Sequence, residues 1–326
     1  VTGAAHAGFT PTGPCWICGG GGLAPVTRAI FEFNAYAEQD PELARYTGAT
    51  VELVRCATCG FAQPAAMPAL PDYFGRMYDQ RWSPEWMEAE FRDGTKDLIF
   101  GQVMRGLAAR VPAERRSLLD LGAHVGKLIH LAAKQGWRAE GVELNPRTSA
   151  FAVRATGLPV HRADLRDLQA EGRRYGAVTL IDVLEHIPEP VGALRAVRGV
   201  LEEGGWVAVK VPHGPNQLMK ERIRGRVFRG YRPTVADNLV HVSHFTPGSL
   251  RLALEKAGFV DVTVHAAAPV VPPEGGGARR AARVAFLRGT AAAARVLPGG
   301  VHSPLTMNLQ AFARNPSPAA PSPGGA

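Results

Sequence analysis

The architecture of this chain hinges on Ser117-Leu-Leu-Asp-Leu-Gly-Ala-His-Val-Gly126. Ser117–Leu121 is an apolar run of strand length, and Val125–Gln135 carries helical periodicity directly after it. Small residues between the two let a ligand lie against the backbone at the carboxyl edge of a parallel sheet. Downstream the alternation repeats. Ala139–Glu143 reads as a strand before a helix that opens at Pro146, a favourable first-turn residue. Leu158–His161, Ala177–Asp182 and Gly205–Val211 are further strands, with a helix over Val191–Leu201. Ser249–Ala257 is a helix, Phe259–His265 a strand and Met307–Arg314 a last strand. Such alternation predicts an α/β fold with a doubly wound, mostly parallel sheet. Upstream, Trp86, Met87, Phe91, Leu98, Ile99, Val103 and Leu107 recur at helical spacing. The expected organisation is a loose leader over 1–13, a small domain over 14–75 with little strand pattern beyond Val51–Arg55, and a helical connector over 76–114. The α/β domain follows over 115–314 with an insertion at 213–244, and the Pro/Ser/Ala/Gly-rich tail 315–326 is expected to be disordered.

Acids stand at the ends of four successive strands: Asp120, Glu143, Asp164 and Asp182. Glu143 falls about 20 residues after the glycine turn, where an acid takes ribose hydroxyls. A nicotinamide dinucleotide site would want Gly-x-Gly-x-x-Gly to cradle a pyrophosphate, whereas here Gly122 and Gly126 flank His124. The series resembles the class I S-adenosylmethionine-dependent methyltransferases over roughly residues 115–315. Asp120, Gly122 and Gly126 match that family's first motif, Glu143 its ribose-binding acid and Asp164 the acid that holds the adenine amino group. Asp182-Val-Leu-Glu-His186 matches the motif beside the methionine moiety, and Gly204-Gly-Trp-Val-Ala-Val209 the turn and strand that follow. The resemblance implies a Rossmann-like sheet of seven strands, the last antiparallel, with S-adenosylmethionine as cofactor. That molecule carries a sulfonium cation and an ammonium but no phosphate, so acids suit it better than a basic cradle. His124 replaces the family's middle glycine; where φ is positive, His is tolerated less well than Gly but better than a branched residue.

Cys15-x-x-Cys18-Gly19 and Cys56-x-x-Cys59-Gly60 are two knuckles separated by a long looped-out segment. A glycine after the second Cys lets backbone amides turn toward the thiolates. Four thiolates suit a structural, tetrahedral Zn²⁺, and iron or an iron–sulfur cluster uses the same ligands. No helix-opening redox pattern surrounds either pair. A zinc knuckle ahead of a class I domain is similar to the sugar C-methyltransferases that act on nucleotide-linked deoxysugars. Cys56-Ala-Thr-Cys-Gly-Phe61, Tyr73-Phe-Gly-Arg-Met-Tyr78 and Leu239-Val-His-Val-Ser-His-Phe-Thr246 carry the likeness. His241 matches the family's proposed general base; Val240 replaces its Glu and His244 its Tyr.

If the acceptor is a hydroxyl or an acidic carbon, a base near neutral pH is useful, and the candidates are His241 first, then His186 and His244. Lys220, Arg222, Arg224, Arg226, Arg229 and Arg232 crowd the insertion against Glu221, which fits either a solvated loop or a clamp for an acceptor's phosphate. A basic amphipathic helix is expected over 279–297, serving a dimer contact, a membrane-surface contact or core cover. The 326 residues are 46% hydrophobic with a formal net charge of +8, which excludes wholesale disorder and admits anionic partners without demanding them. No run approaches the ~18 apolar residues of a membrane span. Residues 1–27 lack the basic start and continuous apolar stretch of an export signal, so a cytoplasmic protein is expected. The first functional expectation is therefore a methyltransferase acting on a small molecule, a nucleotide-linked sugar or another glycan or natural-product intermediate. An RNA methyltransferase using the zinc domain as a substrate holder is the alternative. Against it, residues 14–75 carry Arg28, Arg45 and Arg55 but Glu32, Glu38, Asp40, Glu42, Glu52 and Asp72. A third class is a cofactor-binding scaffold without catalysis.

Overall fold

The computed structural model describes residues 8–79, 83–163, 165–227, 241–271, 281–287, 289, 292 and 300–317. Its N-terminal part contains strands β1 (Phe9–Pro11), β2 (Leu23–Ile30), β3 (Thr50–Cys56), β4 (Ala62–Pro64) and β5 (Ala66–Pro68), with a short helix α1 (Pro41–Ala44). β2, β3 and β4 form one antiparallel sheet, and β1 pairs antiparallel with β5. Two expectations are corrected here. The end of the expected leader is not loose: Phe9 packs edge-on against Phe31 and Tyr46, with ring centroids 5.6 and 5.4 Å away. β2 also exists where no strand pattern was legible. Pro25 interrupts its sequence, and the register with β3 shifts between Pro25 and Thr27, so a bulge accommodates a residue that has no N–H to donate.

Helices α2 (Tyr73–Asp79), α3 (Pro84–Asp93) and α4 (Asp97–Ala108) lead into the larger domain. Ser83 caps α3 by accepting the Trp86 N–H at 3.2 Å, and Gly94 ends it in the left-handed region. On α4, Ile99, Phe100, Val103, Met104 and Leu107 fall on one face and are buried with Leu118, Ala177, Ala208 and Phe312 of the large sheet. Each such side chain contributes about 1.5–3 kcal/mol when fully buried.

The large sheet is built from β6 (Ser117–Leu121), β7 (Arg138–Val142), β8 (Val160–His161), β9 (Tyr175–Ile181), β10 (Leu201–Pro212), β11 (Val260–Ala266) and β12 (Asn308–Arg314). Its seven strands run in the order β11-β12-β10-β9-β6-β7-β8, and the pairs of β12 are antiparallel while those of β6 to β10 are parallel. This is the expected Rossmann-like sheet. β6 and β9 are buried throughout, as helices on both faces require. Those helices are α5 (Lys127–Ala133), α6 (Pro146–Thr156), α7 (Leu165–Ala170), α8 (Pro190–Gly199) and α9 (Gly214–Val227), then a helix over Pro247–Lys256. Of the expected basic helix over 279–297, residues 281–287 are described and are helical. At the tail, Asn315 is fastened rather than loose: its N–H donates to Gly205 O at 2.8 Å and its amide to Leu201 O and Glu202 O.

The small N-terminal part is packed onto the sheet domain. Phe61, Cys15, Ile17 and Cys56 share one buried cluster with Phe245, Leu250, Leu180 and Leu184. Ala62 and His244 exchange both backbone hydrogen bonds, at 3.1 and 2.9 Å, as an isolated antiparallel bridge. Residues 213–245 are tied at both ends, since the Gly214 N–H donates to Phe245 O at 2.9 Å.

Candidate functional site

β6 delivers the chain into a turn where Gly122, His124 and Gly126 all have positive φ, at 68°, 51° and 79°. A Cβ on Gly122 would sit 2.6 Å from Val183 Cγ2, so only glycine fits that turn against the neighbouring strand end. Glu143 locks the turn. Its Oε2 accepts the His124 N–H and its Oε1 the Asn145 N–H, both at 2.9 Å. That carboxylate holds His124 in the left-handed region that the missing glycine would have occupied freely. Each Glu143 oxygen keeps lone-pair capacity for a further donor, as hydroxyl recognition requires. The Trp86 ring of α3 stands edge-on to His124 with centroids 5.2 Å apart.

Asp120, at the end of β6, is buried and accepts the Thr179 hydroxyl at 2.6 Å. Burial, reinforced by the charge of Glu143, pushes its carboxyl up to about 7. Glu143 is itself raised by burial, against the two N–H groups that it accepts. Asp182 differs from both. It has φ of 58° and accepts ammonium groups from Lys210 and from Lys96, the latter at 2.9 Å. Burial opposes its ionisation, but the two lysines hold it well below the usual carboxylate range. The edge is therefore less acidic than four strand-end carboxylates suggest. Asp164 lies outside the described residues. Lys96 and Lys210 are the functional candidates that sequence reasoning missed. Lys210 carried a signal, a charge inside the apolar run Val207-Ala-Val-Lys-Val211; Lys96, in a polar turn, carried none.

The turn after β9 supplies Glu185 and His186, and the far end of the insertion supplies His241. The two segments are stapled together. Both Val242 N–H and Ser243 N–H donate to Glu185 O at 2.9 Å, and the Ser243 hydroxyl donates to Ile187 O at 2.8 Å. His186 and His241 thus meet with ring centroids 4.9 Å apart. The Gln217 amide of α9 lies 2.7 Å from His241 Nδ1 and orients that ring. Burial first, then the neighbouring His186 and His244, hold His241 well below its ordinary value, so it is neutral near pH 7. Glu185 is 1% exposed, and neither carboxylate oxygen has a hydrogen-bond partner among the described residues. Burial and then the charge of Asp182 push it up to about 8. His244 is not brought into the pair. It is 2% exposed, and its backbone joins the domains through Ala62.

The cysteines converge from the two knuckles. Their four sulfurs all lie within 4.8 Å of one another, with Cys15–Cys59 at 3.5 Å and Cys18–Cys56 at 3.4 Å. Gly19 and Gly60 have positive φ, and their N–H groups turn back to Cys15 O and Cys56 O. No pair is disulfide-bonded. Four thiols clustered at this spacing suit the tetrahedral sulfur shell of Zn²⁺. The glycine turn with its glutamate likewise fits an adenosyl ligand.

Residues 91–264, just over half of the chain, match a family model described as a methyltransferase domain. The ubiquinone biosynthesis O-methyltransferase of Cereibacter sphaeroides (strain ATCC 17025) is 30% identical over 118 residues, 35% of this chain and 48% of that protein. Its counterpart in Leptothrix cholodnii is 30% identical over 97 residues, 28% of this chain and 41% of that one. The chain thus spans less than half the length of these relatives. Among solved structures, the Haemonchus contortus phosphoethanolamine N-methyltransferase 2 in complex with S-adenosyl-L-methionine aligns with a TM-score of 0.50 at 14% identity. The alignment covers 78% of this chain and 63% of that one, and it shows a common fold. No helix among the described residues is long and apolar enough to cross a membrane. The chain belongs to the methyltransferase-domain family.

Proposed function

We propose that this enzyme methylates a hydroxyl of a small-molecule acceptor, a nucleotide-linked sugar or another glycan or natural-product intermediate. The observation that carries this reading is the His186–His241 pair, fixed beside the glycine turn and Asp182 by backbone staples and Gln217. The O-methyltransferase relatives support oxygen as the receiving atom. S-adenosylmethionine supplies an activated methyl group. In this reading Gly122 and Gly126 make room for the cofactor, Glu143 takes its ribose hydroxyls and Asp164 its adenine amino group. Asp120 and the Asp182–Lys96 pair face its amino-acid end, where Lys96 offers a cation to the carboxylate. His241, neutral at pH 7, accepts the acceptor's proton, and rigid placement of the acceptor provides most of the remaining rate. Cys15, Cys18, Cys56 and Cys59 hold a structural Zn²⁺ that leaves no open position for chemistry. Arg229 and Arg232 of the basic insertion lie outside the described residues.

The test is transfer of labelled methyl from S-adenosylmethionine to nucleotide sugars, hydroxylated small molecules and total RNA, with zinc measured on the same protein. Label in the sugars or small molecules is expected. Label in RNA alone would replace this reading with an RNA methyltransferase, and cofactor binding without any turnover would leave a scaffold.

A further inference from the structure

We propose that Glu185, His186 and His241 form a second metal site, holding a divalent transition-metal ion that binds the acceptor hydroxyl. This rests on the hydroxyl-acceptor reading above and gives the three residues a joint role in place of a lone base. One ligand atom from each lies within 4.8 Å of the others. The geometry comes from two chain segments fastened to each other at the Glu185 carbonyl, so the three ligands are preorganised.

The buried carboxylate is the strongest pointer. Native proteins pair nearly all buried polar groups, and a carboxylate far from water needs a proton or a cation. Glu185 is 1% exposed with both oxygens unpartnered among the described residues. Two ammonium groups whose charge reaches it, Lys96 and Lys210, are paired with Asp182. Beside the carboxylate are the imidazoles of His186 and His241, with ring centroids 4.9 Å apart. Imidazole is the commonest protein ligand for transition metals. The Gln217 amide nitrogen donates to His241 Nδ1 at 2.7 Å and fixes that ring, as the outer hydrogen-bond partners of metal-site residues do. Two imidazoles and one carboxylate leave open positions, and this donor set suits Zn²⁺, Mn²⁺, Co²⁺ or Fe²⁺. It differs in kind from the all-sulfur cluster of the knuckles.

The chemistry balances without a redox partner. On binding the ion, the acceptor hydroxyl releases its proton to solvent, as metal-bound water does near neutral pH. The oxygen's electron pair then forms the O–CH₃ bond while the S–CH₃ bond breaks, and the electron pair of that bond stays on sulfur.

The test uses Co²⁺ as the probe on full-length protein already carrying zinc at its cysteines. Calorimetric titration is expected to show one further equivalent of Co²⁺. Its visible spectrum should show weak nitrogen/oxygen-ligand bands without thiolate charge transfer. Glu185→Gln and, separately, His241→Ala should weaken this uptake at least about tenfold while zinc content stays unchanged, which also reports that each variant is folded. Co²⁺ should raise the melting temperature of the wild type but not of Glu185→Gln. Absence of the further equivalent, or uptake that both substitutions leave unchanged, overturns the site. If small acceptors are methylated at full rate while a chelator keeps the ion off, the site is also overturned and the acceptor reading stands with His241 as base. If the ion binds as described and no small acceptor turns over, the site stands and the acceptor reading falls.

Discussion

Phe61→Ala tests whether the cysteine-rich part and the sheet domain form one cooperative unit. Phe61 follows the second knuckle, is 0% exposed and packs with its ring centroid 5.1 Å from Phe245 and 6.4 Å from Trp16. Truncating a fully buried phenylalanine costs about 3–5 kcal/mol, from lost transfer energy plus the cavity left behind. Against a typical total of about 5–15 kcal/mol, that is a large share of the stability. The next residue, Ala62, makes the bridge to His244, so the slack reaches the segment that positions His241. Urea unfolding followed by far-UV circular dichroism should show a single transition with a lowered midpoint, and methyl transfer should fall with it. Two separable transitions, with the larger one unmoved, would refute the reasoning. So would a loss below about 1 kcal/mol with activity intact.

Three further outcomes are expected. Asp120→Asn should remove a pH dependence. The native carboxyl is raised to about 7 from an unfolded value near 4, so the folded state binds more protons in that window and its stability falls as pH rises through it. The variant, which keeps an acceptor for Thr179, should lose less stability between pH 4 and pH 7 than the wild type in paired thermal melts. His241→Ala should lower kcat by roughly 10²–10⁴ while cofactor affinity, measured by calorimetry, is unchanged; an unaltered kcat would remove it from the chemistry. Gly122→Ala should weaken cofactor binding and cost about 1–2 kcal/mol of stability. The added methyl meets Val183 Cγ2 at 2.6 Å in a left-handed backbone, and an unchanged calorimetric Kd would show that the turn is not part of the cofactor site.

The central strands were legible because burial on both faces makes them continuous apolar runs, and the helices between them keep a 3.6-residue period. Ala177–Asp182 and Tyr175–Ile181 differ only at their ends. The positive φ at His124 was legible from its place in the glycine turn. β1 and β2 were not. β1 is three residues long and held by tertiary contacts, while β2 is an edge strand broken by Pro25. In the site, residue types at strand ends could be read, but their partners could not. The pairing of Lys96 with Asp182 joins a connector turn to a strand end far along the chain, and no local pattern encodes it. The unpartnered carboxyl of Glu185 was equally hidden. Sequence shows an acid before a histidine, and only packing shows that no described residue hydrogen-bonds it.

The hydrogen bond from the Gly214 N–H to Phe245 O stands the two feet of the intervening chain side by side, so that chain is closed as a loop. Lengthening such a loop is thermodynamically mild, about 0.6 kcal/mol for each doubling. Extra residues inserted between the two feet are therefore expected to cost little stability and to leave the sheet beneath undisturbed, which paired thermal melts would check.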